Sequence, residues 1–242
     1  MSRPTLVFLH GVGLDHTVWG PVTELLTGFE VITPDLPGHG ARPAAPAGVT
    51  LADLADGVAD EIPAGSHLVG FSLGALVAQH LAVHRPDLVA SLTSVSSVCR
   101  RTDEERAAVL GRLRTAEEDF AASAAASLRR WYDGTDVGPE HVARTEATLL
   151  ANDPASFVNC YRVFATADAE IAPQLGNIGV PALAITGSDD PGSTPDMTYR
   201  LAAAIPECEA VVVAGARHML PVQCPRALAD ALTSFIGRSV HV

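Results

Sequence analysis

Short apolar runs rich in Val, Leu and Ile punctuate the chain at residues 5–9, 30–34, 67–71, 89–96, 181–186 and 209–214. Runs of this length that are continuous rather than alternating suit strands buried on both faces. Amphipathic stretches of helical period separate most of them. One begins near Thr50, after a loop at 41–48 whose Pro and Gly residues interrupt any regular element. Strand and helix in alternation predict an α/β fold, a mostly parallel, doubly wound sheet of about six strands.

From about residue 100 the alternation stops. Arg101-Thr102-Asp103-Glu104-Glu105-Arg106 reads as a helix start, and polar, alanine-rich segments continue through Ala169. The pattern predicts a helical insertion at 100–172 within a core made of 1–99 and 173–242, one globular unit. Such an insertion is expected to act as a lid, closing over a site, excluding water and carrying most of the substrate specificity.

Chemistry enters at Ser66-His67-Leu68-Val69-Gly70-Phe71-Ser72-Leu73-Gly74-Ala75, a strand, then Gly-x-Ser-x-Gly, then an alanine-rich helix. A strand-to-helix turn this sharp leaves no room for side chains on either side of the serine, which accounts for Gly70 and Gly74. Ser72 then projects from the sheet edge, and the helix aims unsatisfied amides and its positive dipole end at the same place, Leu73 offering the first amide. A serine nucleophile needs a base, and the base needs an acid to orient it. Downstream, Val180–Ile185 runs into Thr186-Gly187-Ser188-Asp189-Asp190, and Val211–Val213 runs into Ala214-Gly215-Ala216-Arg217-His218. Each candidate follows a strand's C-terminal end, where parallel sheets gather ligands and catalytic groups.

With Leu6-Val7-Phe8-Leu9-His10-Gly11-Val12-Gly13 and Asp35-Leu36-Pro37-Gly38-His39-Gly40 in the same order, the chain resembles the α/β-hydrolase family along nearly its whole length. The resemblance implies an oxyanion hole from the amides of Val12 and Leu73, His218 as base, and the fourth residue of Gly187-x-x-Asp190 as acid, with Asp189 as the alternative one register away. His10 and His39 would brace loops near the site. With the first strand this early, the leading hairpin of many relatives is expected to be absent. The segments 187–195 and His218-Met219-Leu220-Pro221 resemble small carboxylesterases and the 3-oxoadipate enol-lactonase branch. They imply hydrolysis of a small carboxylic ester or lactone through an acyl-enzyme. Carbon-carbon bond hydrolases of vinylogous diketones, with the same triad, and hydrolase-fold ligand receptors are the alternatives.

The remaining histidines are read as structural. His16 lies in the loop after the oxyanion segment, either lining the pocket or exposed. His80 and His84 are four apart on a helix without the glutamate of a zinc protease motif, and His67, His141 and His241 belong to no constellation. Nine of the sixteen arginines fall between Arg100 and Ala172, among thirteen acidic residues. Arg129, Arg130, Arg144 or Arg162 could clamp a substrate carboxylate, although such mixed charge also suits solvated helix faces. The pocket set is taken as Trp19, Phe71, Trp131, Arg129 and Arg162, with Tyr132, Tyr161 and Phe164 as further aromatic candidates.

Composition narrows the classes. A chain of 242 residues can bury a core without staples. Four widely spaced cysteines without a Cys-x-x-Cys pair, and no recognisable secretion signal, point to the cytoplasm. No apolar stretch reaches the roughly 18 residues of a membrane span. A net charge of −12 disfavours nucleic acid and anionic membranes as partners. The absence of lysine excludes Schiff-base chemistry. No metal or cofactor is called for, the expected partner is a small ester or lactone, and a homodimer stays compatible with the sequence.

Overall fold

The computed structural model describes residues 3–239; Met1, Ser2 and residues 240–242, His241 among them, lie outside the described residues. The apolar runs become β1 (Thr5–Leu9), β2 (Glu30–Ile32), β3 (Ser66–Phe71), β4 (Val89–Val95), β5 (Ala182–Gly187) and β6 (Cys208–Val213). They form one sheet in the order β2-β1-β3-β4-β5-β6, every neighbouring pair parallel. Composition explains the placement. Every residue of β3 and β5 is buried, so these strands sit inside the sheet, whereas β2 and β6 expose Glu30 and Glu209 and form its edges. Among the described residues no hairpin precedes β1.

Helices α1 (Gly20–Thr23), α2 (Leu51–Ala59) and α3 (Leu73–His84) precede β4. Four more, α4 (Asp103–Glu118), α5 (Phe120–Tyr132), α6 (Pro139–Leu150) and α7 (Pro154–Ile171), fill the interval between β4 and β5, and α8 (Pro195–Ala204), α9 (Leu220–Gln223) and α10 (Pro225–Ser239) follow. Helix α2 packs on α3, which lies on β1, β3 and β4, while α1 and α9 pack with α10. Complete burial of the central strands requires cover on both faces. Local sequence sets the helix starts. Thr50 and Thr102 each close a capping box, with Asp53 and Glu105 respectively, satisfying donors that the first turn would leave bare.

The four-helix insertion is tied down at both ends. Arg101, before α4, is buried and donates to Asp168 on α7 at 2.6 Å, and to the carbonyls of Phe164 and Ala165. Arg200 on α8 bonds Glu105 at 2.7 Å and the Cys99 carbonyl at 3.0 Å. Asn152 donates to the Gly13 carbonyl after β1 and Ser156 to the Gly38 carbonyl after β2, each at 2.9 Å. These contacts hold the insertion against the loops at the C-terminal ends of β1 and β2.

Candidate active site

After β1 the chain forms β2 on one side and then crosses to β3 on the other. The reversal leaves a crevice beyond the C-terminal ends of β1 and β3, the place where open parallel sheets bind ligands. Leu9 pairs with Gly70 across it, so the His10–Gly13 loop and Ser72 emerge side by side.

Ser72 sits at φ 55°, ψ −111°, between the last residue of β3 and the first of α3. A non-glycine residue at positive φ is strained, and the surroundings enforce it. Its amide donates to the Val95 carbonyl at 2.9 Å. A Cβ on Gly74 would strike the Leu9 and His10 carbonyls, and one on Gly70 would strike Gly74 and Ala75 of α3. The serine is 3% exposed. The amide of Val12, in the loop after β1, and that of Leu73, the first residue of α3, donate to no acceptor among the described residues.

His218 Nδ1–H donates to Asp190 Oδ2 at 2.7 Å. The other carboxylate oxygen, Oδ1, accepts from the amides of Gly192 and Ser193, both at 2.9 Å. Because a carboxylate only accepts, the proton lies on Nδ1 and the Nε2 lone pair of the neutral ring stays free. The imidazole lies between the rings of Phe71 and Trp131, at centroid distances of 5.1 and 5.7 Å. Ser96, at φ 46° after β4, donates through its hydroxyl to the His218 carbonyl at 3.2 Å. Ser72, Asp190, His218 and Val12 line one narrow cavity of about 30 Å³, closed over by Arg112, Arg130, Trp131, Tyr161 and Phe164 from the insertion. The Ser72 hydroxyl makes no hydrogen bond among the described residues.

Below the crevice, His10 Nδ1–H donates to the Gly11 carbonyl at 2.8 Å and Nε2 accepts from the Leu36 amide at 2.9 Å, tying the β1 loop to the β2 loop. Burial lowers the pKa of His10 and pushes that of His39 down to about 3, where the repulsion that would arise if both rings were protonated adds to the shift. Both rings are therefore neutral bracing groups, packed edge to face at 5.0 Å.

Residues 6–231 match the model of the alpha/beta hydrolase family. The chain belongs to this family. It is 30% identical to the (E)-2-((N-methylformamido)methylene)succinate hydrolase of Acinetobacter baylyi over 96% of this chain and 89% of that protein. It is 29% identical to the pimeloyl-[acyl-carrier protein] methyl ester esterase of Aeromonas hydrophila subsp. hydrophila over 97% of this chain and 96% of that one. The crystal structure of the enol-lactonase from Burkholderia xenovorans LB400 superposes with a TM-score of 0.87 at 26% identity, covering 98% of this chain and 92% of that one.

Within this alpha/beta hydrolase, the structure separates the sequence candidates. His218 is bonded to Asp190; Asp189 is exposed and accepts instead from the Ser188 hydroxyl at 2.9 Å. Trp131 lines the cavity as expected. So do Tyr161 and Phe164, whereas Tyr132, Trp19, Phe71, Arg129 and Arg162 do not. Trp19 is fully buried against Phe8 and Phe71, and Phe71 is fully buried beneath the His218 ring, because apolar residues next to core strands pack inward first. Arg129 is exposed on the solvent side of α5, and Arg162 is exposed on α7 and paired with Glu117 at 2.5 Å. Arg144 lines a different cleft, with Asp15 and His141. His16 is half exposed and holds Asp35 at 2.9 Å.

Two arginines reach the cavity instead: Arg130, one of the clamp candidates, and Arg112, which sequence reading passed over. Helical period could have found both. On α5 the buried residues Ser127 and Trp131 flank position 130 and leave 129 outward. On α4 the buried stripe Val109, Leu113, Ala116 has Arg112 on its border. The Gly192 and Ser193 amides carry no side-chain signal.

Proposed function

We propose that this alpha/beta hydrolase is a serine hydrolase of small carboxylic esters or lactones, working through Ser72, His218 and Asp190. The reading rests on one observation above all: a serine forced into positive φ at the strand-to-helix turn shares a cavity with a histidine whose Nδ1 proton is held by a buried carboxylate. His218 Nε2, with its lone pair free, takes the hydroxyl proton as Ser72 Oγ attacks the acyl carbon. Asp190 stabilises the imidazolium that forms and keeps the ring in the tautomer the reaction needs. The amides of Val12 and Leu73 receive the oxyanion, a role consistent with their lack of protein acceptors. The protonated ring then delivers its proton to the leaving oxygen, and water, deprotonated by the same nitrogen, cleaves the acyl-enzyme.

Helices α4–α7 act in this reading as the lid. The cavity holds little more than one water molecule, so substrate entry requires the side chains or helices above Ser72 to move. Residues 1–99 and 173–242 would form the catalytic core. The relatives named as an esterase and an enol-lactonase support ester or lactone chemistry. All four cysteines are free, which fits a reducing cytoplasm. Among the described residues no helix is long and apolar enough to cross a membrane.

The test is labelling by a fluorophosphonate probe, read by mass spectrometry, together with turnover of p-nitrophenyl acetate and butyrate. Wild type should carry the adduct on Ser72 and hydrolyse both esters, and Ser72→Ala should do neither while keeping its fold. An adduct elsewhere, or undiminished turnover in Ser72→Ala, overturns the assignment.

A further inference from the structure

A cation partly or wholly buried needs a counter-charge, and this chain shows the rule being met at one site and not at another close by. Arg101 is buried and has a full set of partners: both oxygens of Asp168 and two carbonyls. Arg130, at the end of α5, is half-buried, yet its guanidinium reaches only the Ser127 hydroxyl at 2.9 Å and, weakly, the Ala126 carbonyl at 3.5 Å. Arg112 of α4 lines the same cavity and donates to the Tyr161 hydroxyl at 3.3 Å. Among the described residues neither arginine forms an ion pair, although α4, which carries Arg112, has several acidic side chains. Burial lowers the pKa of Arg130 and the positive charge of Arg112 lowers it further, while the one carboxylate in the same cavity, Asp190, already has both oxygens bonded, to His218 and to the Gly192 and Ser193 amides. Both arginines face the space above Ser72 and His218.

We propose that Arg112 and Arg130 form a carboxylate clamp, and that the natural substrate is an ester or lactone bearing a free carboxylate a few carbon atoms from the scissile carbonyl. This rests on the hydrolase reading above and adds the substrate class. A guanidinium fork matches a carboxylate with two parallel charge-assisted bonds, and it gains most where water is excluded. The carboxylate supplies the missing counter-charge and holds the carbonyl over Ser72. The overall field cannot do this work: with a net charge of −12 the chain repels anions, so any preference for an acidic substrate must come from local cations.

The experiment compares p-nitrophenyl hemisuccinate and hemiglutarate with p-nitrophenyl butyrate, and measures glutarate binding by calorimetry. Wild type should favour the acid-bearing esters in kcat/KM. In Arg112→Met and Arg130→Met the acid-to-neutral ratio should fall about 10- to 100-fold each, the worth of one charge-assisted contact. Arg130→Lys, which keeps the charge and loses the fork, should fall part of the way and guards against misfolding as the cause. Arg129→Met, the same charge loss on the solvent side of the same helix, should keep the ratio. Glutarate should bind wild type and fail to bind the double variant Arg112→Met/Arg130→Met. No preference for the acidic esters in wild type, or a preference that survives both Met substitutions, overturns the clamp while Ser72-dependent butyrate turnover leaves the hydrolase reading standing. If no ester is cleaved and no probe labels Ser72, that reading fails instead, and glutarate binding still decides the clamp.

Discussion

Replacing Asp190 by asparagine should be far more damaging than its near-isosteric shape suggests, and the geometry says why. The carboxylate has its two oxygens committed in different directions, Oδ1 to the amides of Gly192 and Ser193 and Oδ2 to His218 Nδ1. In Asp190→Asn the two amides can be satisfied only by the carboxamide oxygen, since an NH₂ group there would meet two donors. That fixes the new NH₂ toward Nδ1. The imidazole must then present Nδ1 as an acceptor, which moves its proton to Nε2, the nitrogen that should take the proton from Ser72. The base is blocked by its own tautomer, and the imidazolium loses its counter-charge. For a triad aspartate the loss is about 10⁴ in kcat, or roughly 5 kcal/mol of transition-state stabilisation. Asp189→Asn changes only an exposed contact to Ser188 and should stay within about twofold of wild type. Steady-state hydrolysis of p-nitrophenyl butyrate measures both variants, and ¹⁵N shifts of the His218 ring read the tautomer independently of activity. Retention of more than a tenth of the wild-type kcat in Asp190→Asn, or an Nδ1–H tautomer in that variant, would refute the reasoning.

Two further outcomes test the scaffold. Gly74→Ala puts a methyl group against the Leu9 and His10 carbonyls, backbone that cannot swing aside, so it should cost about 1–3 kcal/mol and roughly 2–4 °C of Tm per kcal/mol; a wild-type melting curve would show that the elbow is not packed as described. Stability should also fall on acidification. The unfolded chain binds a proton at His39 as pH drops through about 6.5, the folded chain only near 3, so stability present above 6.5 is lost between those values, about 2 kcal/mol from pH 7 to 5 for this group alone. Urea melts of wild type and His39→Gln should show a shallower pH dependence in the variant, and equal slopes would contradict the assignment.

The order of elements and the positions where chemistry was expected were legible in the chain because each has a local cause. A strand buried on both faces must be apolar throughout, a capping Thr must precede its helix, and an elbow this tight must have glycine at 70 and 74; each constraint is written in a handful of adjacent residues. The same holds for the histidine and the pair of carboxylates at the ends of the last strands. Three matters were settled only by the fold. Asp190 rather than Asp189 meets His218, because the Gly192 and Ser193 amides pull one carboxylate inward while the other stays in water. Trp19 and Phe71 went into the core beneath the site, although Phe71 directly precedes Ser72. The arginines at the cavity are Arg112 and Arg130, not Arg129 and Arg162. For Asp190 against Asp189 and for Arg130 against Arg129 the choice lies between adjacent residues on a loop or helix, and it turns on which side faces a distant segment. Local pattern establishes that an element exists and which residues it offers. Only packing against residues about 30 to 120 positions away decides which of them point at Ser72.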